Sequence, residues 1–203
     1  MLTPAISVVS ATEGFTVVSP VFSQLVVPLS CIILLFLFFF QFIGTAKIGF
    51  TFGPMILIWF IILGILGAIQ IVQDPVILNA FNPFFAIHFF YTSGWHGYGV
   101  LGGVFLVATG GEALYADLGH FGKNPIRLGW FAVALPGLLL NYFGQAAYLL
   151  THPAGIVNPF FLIAPESFLI PLLIVATIAA IIASQSVISA TFSLTKQAIL
   201  LGL

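Results

Sequence analysis

An all-α, polytopic membrane helix bundle is the fold class this sequence predicts, and three observations predict it. Of 203 residues, 61% are hydrophobic and only 4% are charged. The mean hydropathy is +1.24. Apolar runs long enough to cross a bilayer recur along the chain, separated by glycine, proline, asparagine and aspartate. A soluble domain carries about 25% charged residues, because its surface must face water. Four basic and five acidic residues are too few to coat a globule of this size, so the outer surface faces hydrocarbon. A net charge of −1 leaves no basic patch to neutralise phosphates, and no nucleic-acid partner is expected.

A membrane helix needs about 20 mostly apolar residues, because only a fully hydrogen-bonded backbone crosses about 30 Å of lipid. On that rule a partial helix at 3–14 opens the chain. Full spans follow near 26–43, 52–72, 98–119, 128–150 and 168–194. Residues 1–203 read as a single transmembrane domain and as a fragment of a longer protein. Met1-Leu2-Thr3-Pro4 has no basic stretch of the kind that opens a signal peptide, and the chain stops inside a polar-striped helix.

The opening helix places Thr3, Ser7 and Ser10 at i, i+4 and i+7, on one face. Such a hydroxyl stripe lines an ion path or hydrogen-bonds across helices. Glu13 sits at its outer end. The first full span is a Leu/Ile/Phe run holding Cys31, the single cysteine, which reads as a small buried hydrophobe with no disulfide partner. Gly44-Thr45 and Gly53-Pro54 mark breaks ahead of the second span, in which Gly64 and Gly67 suit close helix packing in lipid. Connection 73–97 is long for a helix bundle. Its apolar stretch from Phe84 to Tyr91 is too short to span, and a short helix at the outer interface is expected there.

The third span carries Gly99 and Gly103 at small-xxx-small spacing, and then Thr109-Gly110-Gly111 directly before Glu112. Three poor helix formers in a row predict an unwound or kinked helix. Glu112 lies eleven residues before Lys123, which at 1.5 Å per residue is roughly 16 Å from the cytoplasmic edge, near mid-membrane. Acidic groups at that depth are costly and usually functional. Broken helices facing a cavity are how many transporters build ion sites from freed carbonyls and helix ends. The plainer account makes Glu112 protonated, hydrogen-bonded glue between helices. Asp117 and His120 follow near the cytoplasmic mouth, as solvated helix-end residues or part of a proton path. Asn141, Tyr142 and Gln145 give the fourth span polar atoms that read as packing groups. The last span shows a second hydroxyl face in Ser186, Ser189 and Ser193.

Orientation follows from the basic residues. Lys47, Lys123 with Arg127, and Lys196 fall in alternate connections or at a span end, and connections 73–97 and 151–167 hold no lysine or arginine. The positive-inside rule makes the basic side cytoplasmic. SVVSAT at 7–12 and SVISAT at 186–191 form a weak internal echo on helices expected to run oppositely. Inverted repeats of that kind recur in transporters. HExxH, GxSxG, Walker and paired-cysteine patterns are all absent, so no catalytic residue and no cofactor is expected.

The stretches LTPAISVVSATEG, GTAKIGFTFGPMILIWF, TGGEALYADLGHFG, LNYFGQAAYLL, NPFFLIAPE and IIASQSVISATFSLTKQAILLG resemble the KUP/HAK/KT potassium uptake permeases, in family order across essentially the whole chain. The resemblance implies a permease of the amino acid–polyamine–organocation superfamily, with a LeuT-like inverted five-plus-five repeat, in the plasma (inner) membrane. It implies K+ import by H+ symport. The present chain would run from the third helix to the eighth, within a lipid bilayer and alongside the missing remainder of the permease. A homodimer stays open as a further partner. By motif match, Thr3, Ser7 and Thr109 would coordinate K+, Glu112 would be the proton-coupling carboxylate and Glu13 an auxiliary acid. No metal beyond the transported K+ is implied, and the fragment alone is expected to be inactive. A cation channel or a transporter of another small solute is the second reading, and an intramembrane enzyme the third.

Overall fold

A computed structural model of the chain describes residues 2–40, 45–108 and 123–202, and every regular element among them is helical. The main helices are α1 (Leu2–Glu13), α2 (Val26–Phe40), α3 (Thr45–Gln73), α4 (Pro83–Ser93), α5 (Trp95–Ala108), α6 (Lys123–Thr151) and α7 (Leu169–Leu200). Among the described residues, three stretches are long and apolar enough to cross a membrane: Phe52–Gln73, Lys123–Thr151 and Glu166–Leu200. Val26–Phe39 is a shorter apolar helix.

The largest departure from the sequence reading lies at Gly53-Pro54. Instead of a break there, α3 runs unbroken from Thr45 to Gln73 with Pro54 inside it. Proline removes one N–H, and in a membrane helix the freed carbonyl is readily re-satisfied, so the helix persists. α6 also begins earlier than expected and contains a π-helical turn, Trp130–Ala134, directly ahead of Pro136. A wide turn there relieves the clash that proline makes with the preceding turn. α7 extends to Leu200, six residues past the expected end.

Connection 73–97 is helical through most of its length. Asp74 accepts a hydrogen bond from the Val76 amide at 3.3 Å and opens a 3₁₀ helix, Pro75–Phe81. Asn82 caps α4 by accepting from the Phe84 amide at 3.0 Å. Both are Asx-type caps followed by proline, the residue best suited to a first helical turn. Cys31, expected to be buried, is exposed on α2. In a chain whose outside is hydrocarbon, a thiol of modest polarity is tolerated on that surface, so its small size does not require a core position.

Two packing units form the bundle. In the first, α3 and α6 touch backbone to backbone. A methyl group added at Gly67 would overlap the Leu140 carbonyl, with the Asn141 nitrogen 2.7 Å away, and Gly144 abuts Gly67 itself. Gly137 lies against Phe60, 3.0 Å from its carbonyl oxygen by the same construction. The contacts advance together along both helices, so α3 and α6 run parallel. Without a hydrophobic force between helices in lipid, such close approach supplies the dispersion contact that holds them. Gln145 donates across one turn to Asn141, which is buried in this seam. Gly99 and Gly103 meet no described neighbour, and the close packing expected of them is not seen among the described residues.

In the second unit, α1 lies between α2 and α7. The buried hydroxyls of Thr12 and Ser30 pair at 2.7 Å, joining α1 to α2. Their own helix carbonyls take further hydrogen bonds from them: Thr12 donates to Val8 at 3.1 Å and Ser30 to Val26 at 2.7 Å, as alternatives to the shared contact. Such interhelical hydrogen bonds contribute about 0.6–2 kcal/mol in a membrane. Ser184 of α7 donates to the Pro4 carbonyl at 3.2 Å. At the other end of α1, Gly14 faces Leu173 and Phe161. α1 and α7 therefore run antiparallel. The units join where Leu66 of α3 shares a core with Leu172, Leu173 and Ala176 of α7, and where Gln70 donates to the Ile163 carbonyl at 3.3 Å.

These directions sort the charges. The starts of α3 and α6 and the end of α7 share one end of the bundle, which therefore receives Lys47, Lys123, Arg127 and Lys196. The opposite end receives Glu13, Asp74 and Glu166.

Candidate functional site

The antiparallel pairing of α1 with α7, set against α3, leaves a cavity of about 600 Å3 between the three helices. Its helical polar lining comes from Ser7, Ser10 and Glu13 on α1 and from Ser186 on α7. Ile56, Trp59 and Phe60 of α3 form an apolar wall. The acidic end is roofed by the turn from Val157 to Phe161, which includes the side chain of Asn158. This roof is anchored: Phe161 is buried, and Phe160 meets Trp59 edge-on with ring centroids 5.5 Å apart.

Local sequence explains the placement. Ser7 and Ser10 are three residues apart and so share a helical face, with Glu13 one further turn along. The opposite face of α1 carries Val8 and Thr12, both buried, Val8 against Leu37 of α2 and Ile188 of α7 and Thr12 against Ser30 of α2. Serines therefore line the gap because the bulkier residues of α1 are taken up by packing. On α7, Ser184, Gln185 and Ile188 are buried and turned inward, while Ala183 and Ser186 are exposed to the cavity.

Hydroxyl and carboxylate oxygens of this kind suit a hard monovalent cation, and an apolar wall keeps the path free of competing donors. The Ser186 hydroxyl donates to the Ile182 carbonyl at 3.0 Å, so its lone pairs remain available to the cavity. Glu13 is exposed at the end of α1, and its carbonyl oxygen accepts from the Thr16 hydroxyl at 2.6 Å.

The residues expected from the sequence divide three ways. Ser7 and Glu13 come together in the cavity. Thr3 is exposed near the start of α1 and does not line it. Thr109 and Glu112 lie outside the described residues, as do Asp117, His120 and the expected helix break at Thr109–Gly111. Of the second hydroxyl face, Ser186 lines the cavity whereas Ser189 and Ser193 do not. Sequence reasoning missed Asn158 and the roof it belongs to. The signal was available in Asn158-Pro159, a turn-forming pair next to three aromatic or large apolar residues. It also missed the Thr12–Ser30 pair, whose residues stand apart from either stripe.

Compared with known proteins, the chain matches the K+ potassium transporter integral membrane domain over residues 1–203. It is 63% identical to the probable potassium transport system protein Kup 1 of Legionella pneumophila (strain Corby), over all of this chain and 32% of that protein. It is 58% identical to Kup 2 of Legionella pneumophila (strain Lens), again over all of this chain and 32% of the relative. With the Kup protein of Anaeromyxobacter dehalogenans (strain 2CP-C) it shares 56% over 202 residues, covering 30% of that relative. The chain thus spans about a third of the length of the curated relatives it matches. No solved structure matches it.

Proposed function

The chain belongs to the K+ potassium transporter family, matched along its whole length as the integral membrane domain, and we propose that it forms part of a system that imports K+ together with H+. The system of which it would form part is read as a transporter and not as an enzyme. The observation that carries this reading is the cavity in which Ser7, Ser10, Ser186 and Glu13 are gathered between α1, α3 and α7. Neutral oxygens replace part of a cation's hydration shell, and a nearby carboxylate balances its charge. Ser7 would contribute to K+ coordination together with Thr3 and Thr109 as the ion moves along the stripe. Glu112 would carry the proton, with Glu13 as an auxiliary acid at the acidic end. The fold would be the LeuT-like inverted repeat. It is supported by the antiparallel pairing of α1 and α7, the two helices that carry SVVSAT and SVISAT. The experiment that tests the function is K+ uptake into vesicles, followed together with internal pH, by a transporter of the relatives' length carrying this segment.

The charge sorting between the two ends supports an orientation in the plasma membrane with Lys47, Lys123, Arg127 and Lys196 cytoplasmic. Single cysteines placed at Lys47, Lys196, Asp74 and His152 are expected to divide into two sets when labelled with a membrane-impermeant thiol reagent. The first two should react only from the cytoplasmic side and the last two only from outside. Labelling of Lys196→Cys and His152→Cys from the same side would overturn the orientation.

A further inference from the structure

We infer that Ser186 on α7 is a contact for the permeating cation, lining the same cavity as the serine stripe of α1; this rests on the K+ reading above. Three observations converge on it. The cavity is far larger than a dehydrated ion: at about 30 Å3 per molecule, roughly twenty waters would fill 600 Å3. A space of this size leaves room for a cation with water around it, to which the walls would contribute individual oxygens rather than a closed cage. Among the polar groups lining it, Ser186 alone has a described hydrogen bond that commits its hydroxyl proton, to the Ile182 carbonyl at 3.0 Å. A hydroxyl held this way presents oxygen lone pairs and no proton to the chamber, which is what a cation requires and an anion does not.

The third observation is the placement of the echoed hexapeptides. Ser7 and Ser10 begin and continue SVVSAT on α1, and Ser186 begins SVISAT on α7. The helices pack directly against each other and run antiparallel, and the leading serine of each hexapeptide lines the same cavity. Their threonines have been used differently. Both threonine hydroxyls lie within reach of the carbonyl one turn back, Val8 at 3.1 Å for Thr12 and Val187 at 2.9 Å for Thr191, and Thr12 alone also meets Ser30 of α2. The leading serine of each hexapeptide lines the cavity, while their threonines pack differently. The other exposed residue of this face, Ala183, lies one turn from Ser186 and offers a position for a reporter.

The test uses a transporter of the relatives' length carrying this segment, with Cys31 replaced by serine and a reporter cysteine at Ala183. The rate of modification by a water-soluble cationic thiol reagent is measured at increasing K+, with N-methylglucamine as the ionic-strength control. Bound K+ should slow modification by the factor 1 + [K+]/Kd, roughly tenfold when K+ is about ten times its dissociation constant. Adding Ser186→Ala should raise the K+ concentration for half-protection about tenfold, as loss of one charged contact does. Ser186→Thr, which keeps the oxygen, should restore it. An unchanged rate without K+ in the Ser186→Ala protein shows that the fold is intact. Equal half-protection in the parent and the Ser186→Ala protein would overturn the contact, and so would the absence of K+ protection in a parent that still takes up K+. A parent that takes up no K+ would instead overturn the functional reading on which the inference rests.

Discussion

Replacing Glu112 with glutamine, in a transporter of the relatives' length, is expected to abolish K+ accumulation driven by a pH gradient while the protein still inserts and folds. Counted back from Lys123, this carboxyl is expected near mid-membrane, and it follows Thr109-Gly110-Gly111 directly in the sequence. Import of K+ with H+ requires both ions to be carried in the same step, and a carboxyl that takes up and releases a proton is the kind of group that would carry the H+. Glutamine keeps the shape and the hydrogen-bonding capacity but does not titrate. The loss should approach the full pH-driven component, leaving only flux down the K+ gradient. Accumulation equal to that of the parent under the same pH gradient would make Glu112 a structural residue.

The second large effect is expected from Gly67. At this position α3 and α6 touch through their backbones, and even a methyl group would overlap the Leu140 carbonyl. Backbone gives way far less readily than a side chain tip, so the helices must separate along the seam that holds Gly137 and Gly144. Overpacking ordinarily costs about 1–3 kcal/mol, and a backbone clash belongs at the upper end of that range. Gly67→Ala should therefore lower the thermal unfolding midpoint in detergent by several degrees, and Gly67→Leu should abolish a monodisperse preparation. Gly129→Ala is the control, because among the described residues nothing lies within 4 Å of an added methyl group there. Equal stability of Gly67→Ala and Gly129→Ala would contradict the close α3–α6 seam.

Much of this arrangement is legible in the sequence, wherever spacing alone determines a face. Thr3, Ser7 and Ser10 share a helical side by arithmetic, and the structure turns Ser7 and Ser10 into the cavity. Gly64 and Gly67 indicate a contact surface without naming the partner, which proves to be Leu140, Gly137 and Gly144. The basic residues fall in alternate connections, and the helix directions bring them to one end. What stayed hidden depends on the third dimension. Pro54 reads as a break because propensity penalises it, yet the helix continues through it where lipid leaves the backbone no alternative bonding partner. Cys31 reads as core because its neighbours are apolar, but in a membrane protein apolar neighbours are found outside as well as inside. Asn158 and its roof come from a proline-rich connection with no periodicity, so no face can be assigned to them in advance. Thr109 and Glu112 lie outside the described residues, and their roles rest on sequence and resemblance.

Coupled flux tests the central claim most directly. A transporter of the relatives' length carrying this segment is reconstituted into vesicles, and K+ content and internal pH are recorded together under an inward H+ gradient with K+ equal on both sides. Import of K+ with H+ predicts that K+ rises above its external concentration while the lumen acidifies faster than in protein-free vesicles. K+ movement that only follows its own gradient, with acidification no faster than in protein-free vesicles, would contradict symport and make this segment part of a channel.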